Sequence, residues 1–330
     1  MILVPYKVGG LFSGVGGIEL GFQRAGFKIS WANENDPYCN QTYQTNFKHR
    51  LISEDVRNLD PNDLEPIDIL VAGFPCQPFS LAGNRKGFDD DRGNIFFDII
   101  RIIKGLKQRP KVVFLENVKN FNTHDNENTL KRVRTLLRDD LNYSFFNEVL
   151  NSHDYTVIPQ NRERTFIICF DGEKNWEQSK KDSLSKVFSD NFPPKTQTAS
   201  NSFRKYLEDD VHENYFYTDE SYNINELKES VTSEETVYQW RRVYVRENKK
   251  GLCPTLTANM GTGGHNVPII KDGDRIRKLT PRECFNLQGY GKNFKLPEIS
   301  NSALYKQAGN SVCVPLIEKL AKIIKGTLKA

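Results

Sequence analysis

Apolar residues in the first half of the chain fall in short runs that are bounded by glycine, proline or acidic residues and alternate with helical patterns. Tyr6-Lys7-Val8 reads as an opening strand that runs into Gly9-Gly10-Leu11-Phe12-Ser13-Gly14-Val15-Gly16-Gly17. Ile18, Leu20, Phe22 and Ala25, set among polar residues and followed by Gly26, then predict a helix. Phe27 to Ala32 predicts a second strand ending at Asn33-Glu34, and Arg50-Leu51-Ile52 a third short element ending near Glu54-Asp55. Ile67 to Ala72 is a β-branched run of strand length, broken by Gly73 and Pro75. Asn94 to Ile103 is apolar around most of its circumference and predicts a buried helix; Lys111 to Leu115 predicts a buried strand ending in Glu116-Asn117-Val118. A helix near residues 126–140 and two antiparallel closing strands, Tyr143 to Leu150 and Thr165 to Phe170, follow. Strands alternating with helices predict an α/β fold, and strand, glycine turn and helix at its start make half of a nucleotide-binding βαβ unit.

From about residue 171 the pattern changes. Residues 171–235 are rich in Lys, Asp, Glu, Ser and Asn with little periodic apolar signal, and read as an irregular linker into a second domain. There Gln239-Trp240-Arg241-Arg242-Val243-Tyr244-Val245-Arg246 alternates basic with β-branched or aromatic residues and reads as one strand. Pro254 to His265 reads as a strand followed by a glycine-rich loop. Basic and aromatic residues interleaved on a strand suit a nucleic-acid groove, and suit a solvated strand face equally well. Thr280-Pro281-Arg282-Glu283 is a capping box with proline in the first turn, so a helix starts there. The chain ends in Gly309-Asn310-Ser311-Val312 and an amphipathic helix carrying Leu316, Ile317, Leu320, Ile323 and Ile324.

Candidate chemistry gathers at the predicted strand ends. Cys76 sits where open α/β sheets bind ligands, at the root of the polar loop 83–93 with its three basic and three acidic residues. A lone cysteine is most often a small buried residue; a thiol beneath a polar, glycine-bounded loop reads instead as a nucleophile under a lid. Glu34, Asp55 and Glu116 fall on the same rim, though single carboxylates there usually serve as helix caps. Arg162 and Arg164, two apart in a strand, share a face, either as an exposed salt-bridged edge or as a fork for a polar ring or phosphate.

Composition narrows the classes. The chain of 330 residues, 38% hydrophobic and 27% charged, suits one large α/β domain plus a smaller module. No apolar run approaches the ~20 residues of a membrane span, and Met-Ile-Leu-Val-Pro does not open like a signal peptide. Six scattered cysteines without a C-x-x-C pair argue against a zinc site or disulfide framework and fit a reducing cytoplasm. A net charge of +4 permits nucleic-acid binding without arguing for it.

Six blocks, in order and correctly spaced, resemble the bacterial DNA cytosine-C5 methyltransferases of restriction–modification systems. They are Phe12-Ser13-Gly14-Val15-Gly16, Gly73-Phe74-Pro75-Cys76-Gln77, Glu116-Asn117-Val118, Gln160-Asn161-Arg162-Glu163-Arg164, Arg277 to Glu283, and Gly309-Asn310-Ser311-Val312. The resemblance spans nearly the whole chain. It implies an S-adenosylmethionine-dependent, Rossmann-like catalytic domain, discontinuous over 1–185 and 300–330, and a small, mainly β target-recognition domain over 186–299. It implies S-adenosyl-L-methionine as cofactor, held by Phe12, Gly14, Gly16, Glu34, Asp55, Pro75, Asn310 and Val312. It further implies a cytosine flipped out of duplex DNA, a Cys76 nucleophile, Glu116 at N3 and the exocyclic amine, Arg164 at O2, and Arg162 holding the site from behind. DNA contacts fall on Ser80 and Arg92 of the closing loop, and on Gln239, Arg242, Thr255 and Leu256. Two positions depart from the family pattern: Gly10 stands where an acidic residue is common, and Asn35 where an aromatic one commonly follows the ribose-binding glutamate. The implied partners are duplex DNA with a short specific site and a cognate restriction endonuclease, with a cytoplasmic monomer as the default. A transfer-RNA cytosine methyltransferase shares the catalytic blocks and is the alternative enzyme. A non-catalytic DNA-binding or cofactor-sensing protein fits poorly with Cys76, Glu116 and Arg164 all present, and a hydrolase pairing Cys76 with His153 has only their coexistence behind it.

Overall fold

The structure is a computed structural model that describes residues 5–75, 95–172, 184, 186–195, 202–241, 244–262 and 266–329. Its larger sheet has seven strands: β1 (Lys7–Leu11), β2 (Lys28–Asn33), β3 (Arg50–Ile52), β4 (Ile69–Gly73), β5 (Val112–Val118), β6 (Phe146–Asn151) and β7 (Glu163–Phe170). They lie in the order β3-β2-β1-β4-β5-β7-β6. β1 to β5 pair in parallel, and β7 runs antiparallel between β5 and β6. The sheet is therefore mixed, as the two closing strands led one to expect. The order reverses between β1 and β4, which opens a crevice at the carboxyl ends of those strands.

Side-chain alternation divides the core between the two faces. In β4, Ile69 and Val71 point to one face and Leu70 and Ala72 to the other, so the strand is apolar throughout. On the first face lie helix α1 (Gly17–Arg24) and the carboxyl-terminal helix Val314–Thr327, whose Leu316, Ile317, Leu320 and Ile324 join Phe22 and Phe114. The carboxyl-terminal helix thus packs against α1, near the start of the chain. On the second face packs Ile95–Gly105, with Phe96, Ile99, Ile102 and Ile103 buried.

A second sheet of four antiparallel strands has the order β11-β10-β8-β9, formed by β8 (Val237–Arg241), β9 (Tyr244–Asn248), β10 (Ile269–Asp272) and β11 (Arg275–Lys278). The segment read as a single strand over 239–246 is thus a hairpin: Trp240 pairs with Val245 and Arg241 with Tyr244 across the reversal. Alternation continued through the turn and concealed it. A second correction concerns Pro254 to Thr257, which form no strand; Pro254 lacks a backbone donor, and the chain passes instead into a 3-10 turn at Ala258–Gly261. The linker region does carry structure, including a helix at Ile224–Ser230. Between the two sheets a shared apolar cluster joins Val15, Tyr43 and Phe47 to Leu256, Phe285 and Tyr290. Among the described residues no helix is long and apolar enough to cross a membrane.

Candidate active site

β4 carries the chain to Gly73-Phe74-Pro75 at the crevice. Phe74 is buried, with ring centroids 5.5 Å from Phe96 and 5.4 Å from Phe121, and its carbonyl accepts a hydrogen bond of 3.0 Å from Asn117 Nδ2. This fixes the direction in which the chain leaves the sheet, with Pro75 exposed. Cys76, Ser80 and Arg92 come next and lie outside the described residues.

Glu116 lies within β5, directly beside Gly73 of β4, rather than beyond the strand end as its position after the apolar run suggested. In the antiparallel pair with β7, Glu116 faces Phe166 and Val118 faces Arg164. Glu116 and Arg164 are therefore diagonal neighbours on one face, within reach of a long side chain. Arg164 Nε stands 3.2 Å from Glu116 Oε1, with the side chains only 14% and 10% exposed. The contact is an ion pair without hydrogen-bond geometry, so Oε1 is a buried acceptor with no hydrogen-bond partner. Burial pushes the Glu116 carboxyl above its ordinary range, against the pull of Arg164 and Arg162. The site thus offers a carboxyl group inclined to hold a proton and an acceptor oxygen left open to a ligand.

Arg162 precedes β7 and is 1% exposed. Its guanidinium donates to the carbonyl of Leu256 at 2.8 Å, to that of Gly309 at 3.1 Å, and to that of Ser311. One buried cation thereby ties the start of β7 to two distant segments of chain. The segment of Thr255 and Leu256 is registered by Cys253, which bridges Gln160 in parallel, and by Thr255 Oγ1 donating to the Asn161 carbonyl at 2.6 Å. Leu256 itself is buried and offers its backbone, while Thr255 is half-exposed. Gly309 permits this approach: a Cβ there would lie 2.1 Å from the backbone carbon of Thr257.

Of the residues assigned to the cofactor, Phe12, Gly14, Gly16 and Glu34 meet at the turn after β1. Gly14 and Gly16 have φ of 54° and 85°, and Phe12, half-buried, has φ of 55°, a strained value for a bulky residue that favours a functional constraint. Glu34 Oε2 accepts the Gly14 amide at 2.8 Å, while its other oxygen accepts the amides of Asn35 and Asp36. Carboxylate oxygens keep further lone pairs after such contacts. Asp55 caps the turn Val56–Asn58, and the Arg57 guanidinium holds its carboxyl down at about 2. Asn310 is exposed at the end of helix Asn301–Asn310, and Val312 is buried beneath it. The Ser13 hydroxyl is buried without a hydrogen-bond partner. A cofactor with ribose hydroxyls and polar ends suits this set of carboxylates and orphaned polar atoms.

Gln239 is buried in β8 with its Oε1 unpartnered, and Arg242 lies outside the described residues. Beside Gln239 opens a cleft of about 580 Å3 whose walls include Asn161, Arg241, Arg246, Lys249, Lys250 and Thr255. Lys249 and Lys250 of this wall were missed from the sequence; their signal was a basic pair just beyond an arginine-bearing strand.

The whole arrangement has relatives. The family model for C-5 cytosine-specific DNA methylase matches residues 6–326. Type II methyltransferase M.Bsp6I of Bacillus sp. (strain RFL6) is 49% identical over 96% of this chain and 98% of its own. Type II methyltransferase M.HhaI of Haemophilus parahaemolyticus is 36% identical over 96% of this chain and 94% of its own. Among solved structures, the S. pombe Dnmt2 methyltransferase superposes with a TM-score of 0.74 over 98% of this chain and all (100%) of its own, at 19% identity, a likeness of fold alone. With a family model covering almost its entire length and relatives aligned end to end, the chain belongs to the C-5 cytosine-specific DNA methylase family.

Proposed function

We propose that in this DNA cytosine-5 methyltransferase, which uses S-adenosyl-L-methionine, Cys76 is the nucleophile and Glu116 and Arg164 hold the flipped base. The observation that carries this reading is the buried Glu116 carboxyl with an open acceptor beside Arg164. Carbon 5 of cytosine is a poor nucleophile. Addition of the Cys76 thiolate to carbon 6 makes the ring an enamine at carbon 5. Glu116, inclined by burial to carry a proton, donates it toward N3 and accepts from the exocyclic amine, while Arg164 donates to O2. The cofactor supplies an electrophilic methyl group. Loss of the carbon-5 proton then lets the thiolate leave. The other five cysteines support the choice of Cys76, because burial raises the pKa of each of those thiols.

For the cofactor, Phe12 packs the adenine region, Glu34 takes the ribose hydroxyls and Asp55 the adenine amine. Gly14, Gly16 and Pro75 shape the pocket, and Asn310 and Val312 close it. Arg162 is a positioning residue that holds the Gly309–Ser311 backbone and the Leu256 carbonyl against the catalytic strand. Residues 1–185 with 300–330 form the catalytic domain and 186–299 read the target. Gln239, Arg242 and Thr255 contact DNA, Ser80 and Arg92 close over it, and Arg241, Arg246, Lys249 and Lys250 of the cleft meet phosphates. The finer biological reading is a cytoplasmic monomer that marks a short duplex site, protecting it from a cognate restriction endonuclease.

The test is covalent capture. Duplex DNA carrying 5-fluorocytosine at its target, incubated with protein and cofactor, should give a mass increase that Cys76→Ser abolishes. An adduct that persists in Cys76→Ser would overturn the assignment. Bisulfite sequencing of plasmid from expressing cells identifies the target site.

A further inference from the structure

The carboxylate of Glu19 stands out because nothing assigned so far uses it. Glu19 is the third residue of α1 and lies on its buried face, behind an N-cap, Gly16, that has no side chain of its own. It is 1% exposed, and its Oε2 has no hydrogen-bond partner. Its Oε1 occupies the space of an absent side chain: a Cβ on Gly10 would lie 2.0 Å from Oε1 and 2.8 Å from Ser13 Oγ. The helix therefore pushes a carboxyl group between the end of β1 and the glycine turn, beside the Ser13 hydroxyl. The titratable groups that face it are Glu34, Tyr43 and Tyr290, none of them cationic. No lysine, arginine or histidine among the described residues forms an ion pair with it. Burial raises the carboxyl to about 7 from 4.5.

A buried carboxyl without a counter-charge is unfavourable unless a cation arrives to complete it. We propose that Glu19 binds the α-ammonium group of the methionine part of S-adenosyl-L-methionine. The inference rests on the cofactor pocket read above, in which Glu34 and Asp55 take the ribose and the adenine. That leaves the amino-acid end of the ligand for the turn between Ser13 and α1. An ammonium group there pairs with Oε2, and Ser13 Oγ completes the donor and acceptor set.

Calorimetric titration of the full chain with three probes tests this. S-adenosyl-L-methionine and S-adenosyl-L-homocysteine both carry the ammonium; 5′-methylthioadenosine carries the nucleoside without it. Glu19→Gln should weaken the first two by about 10- to 100-fold, the range of a charged hydrogen bond, and leave the third within about twofold. Unchanged affinity for all three overturns the proposal, as does an equal loss for all three, which would mark a structural role. A loss confined to S-adenosyl-L-methionine also overturns it, since the sulfonium would then be the partner. Should the variant not fold, the wild type decides. At pH 6, binding of S-adenosyl-L-homocysteine should release about one proton, measured across buffers of different ionisation enthalpy, and 5′-methylthioadenosine should release none. Equal release for both ligands contradicts the proposal. If wild-type protein binds none of the three probes, the pocket assignment fails rather than the role of Glu19.

Discussion

Two buried arginine–glutamate pairs stand among the described residues, and they are built differently. Arg277 and Glu283, 1% and 0% exposed, form a two-pronged pair at 2.9 and 2.8 Å. Glu283 also accepts the Thr280 amide at 2.8 Å and the Glu208 amide at 3.0 Å, and Arg277 Nε donates to Asp272 at 2.5 Å. Both carboxylate oxygens of Glu283 are satisfied. Arg164 and Glu116 touch at a single 3.2 Å contact and leave an oxygen without a hydrogen bond. A fully satisfied pair fixes structure; one left incomplete where it is buried keeps its hydrogen-bonding capacity for something that arrives later. The first pair joins β11 to the following helix, the second faces the crevice.

Substitutions should separate the two. The largest effect on stability belongs to Arg277→Ala, which leaves Glu283 buried and uncompensated; we expect a loss of about 3–5 kcal/mol in denaturant unfolding. Arg164→Ala should lower methyl transfer about 100-fold, while reducing stability by only about 1 kcal/mol, because Glu116 can take a proton instead. A loss like that of Arg277→Ala would break the comparison. Thr280→Ala, which removes the cap of the helix Pro281–Asn286, should cost about 1 kcal/mol with activity kept. The smallest effect sharpens the contrast through pH. A carboxyl raised by folding contributes stability below its unfolded pKa and loses it as pH rises through the folded value. Relative to Glu116→Gln, the wild type should therefore weaken as pH rises above the ordinary glutamate range, as read by thermal melts from pH 4 to 8.

Much of this was legible in the chain. The buried runs of β4 and β5, the capping box at Thr280 and the terminal amphipathic helix declared themselves, because local chemistry and tertiary burial agree there. The hairpin at 241–244 did not, since alternation carries no mark of a reversal. Proline at 254 and the pairing of Cys253 with Gln160 override a strand-like composition at 254–257. Arg162 and Arg164 read as sharing a face, yet they serve different ends: Arg162 is spent on three backbone carbonyls, and only Arg164 meets Glu116. Glu19 passed for one more polar residue of α1. Its signal was the bare Gly10, whose missing side chain makes room for it.

The measurement closest to the central claim is single-turnover methyl transfer by Glu116→Gln on duplex DNA, with its unfolding free energy recorded on the same preparation. The open pair predicts a rate about 100- to 1,000-fold below wild type in a protein at least as stable at neutral pH. A variant that transfers methyl groups at the wild-type rate, or that fails only because it unfolds, would contradict it.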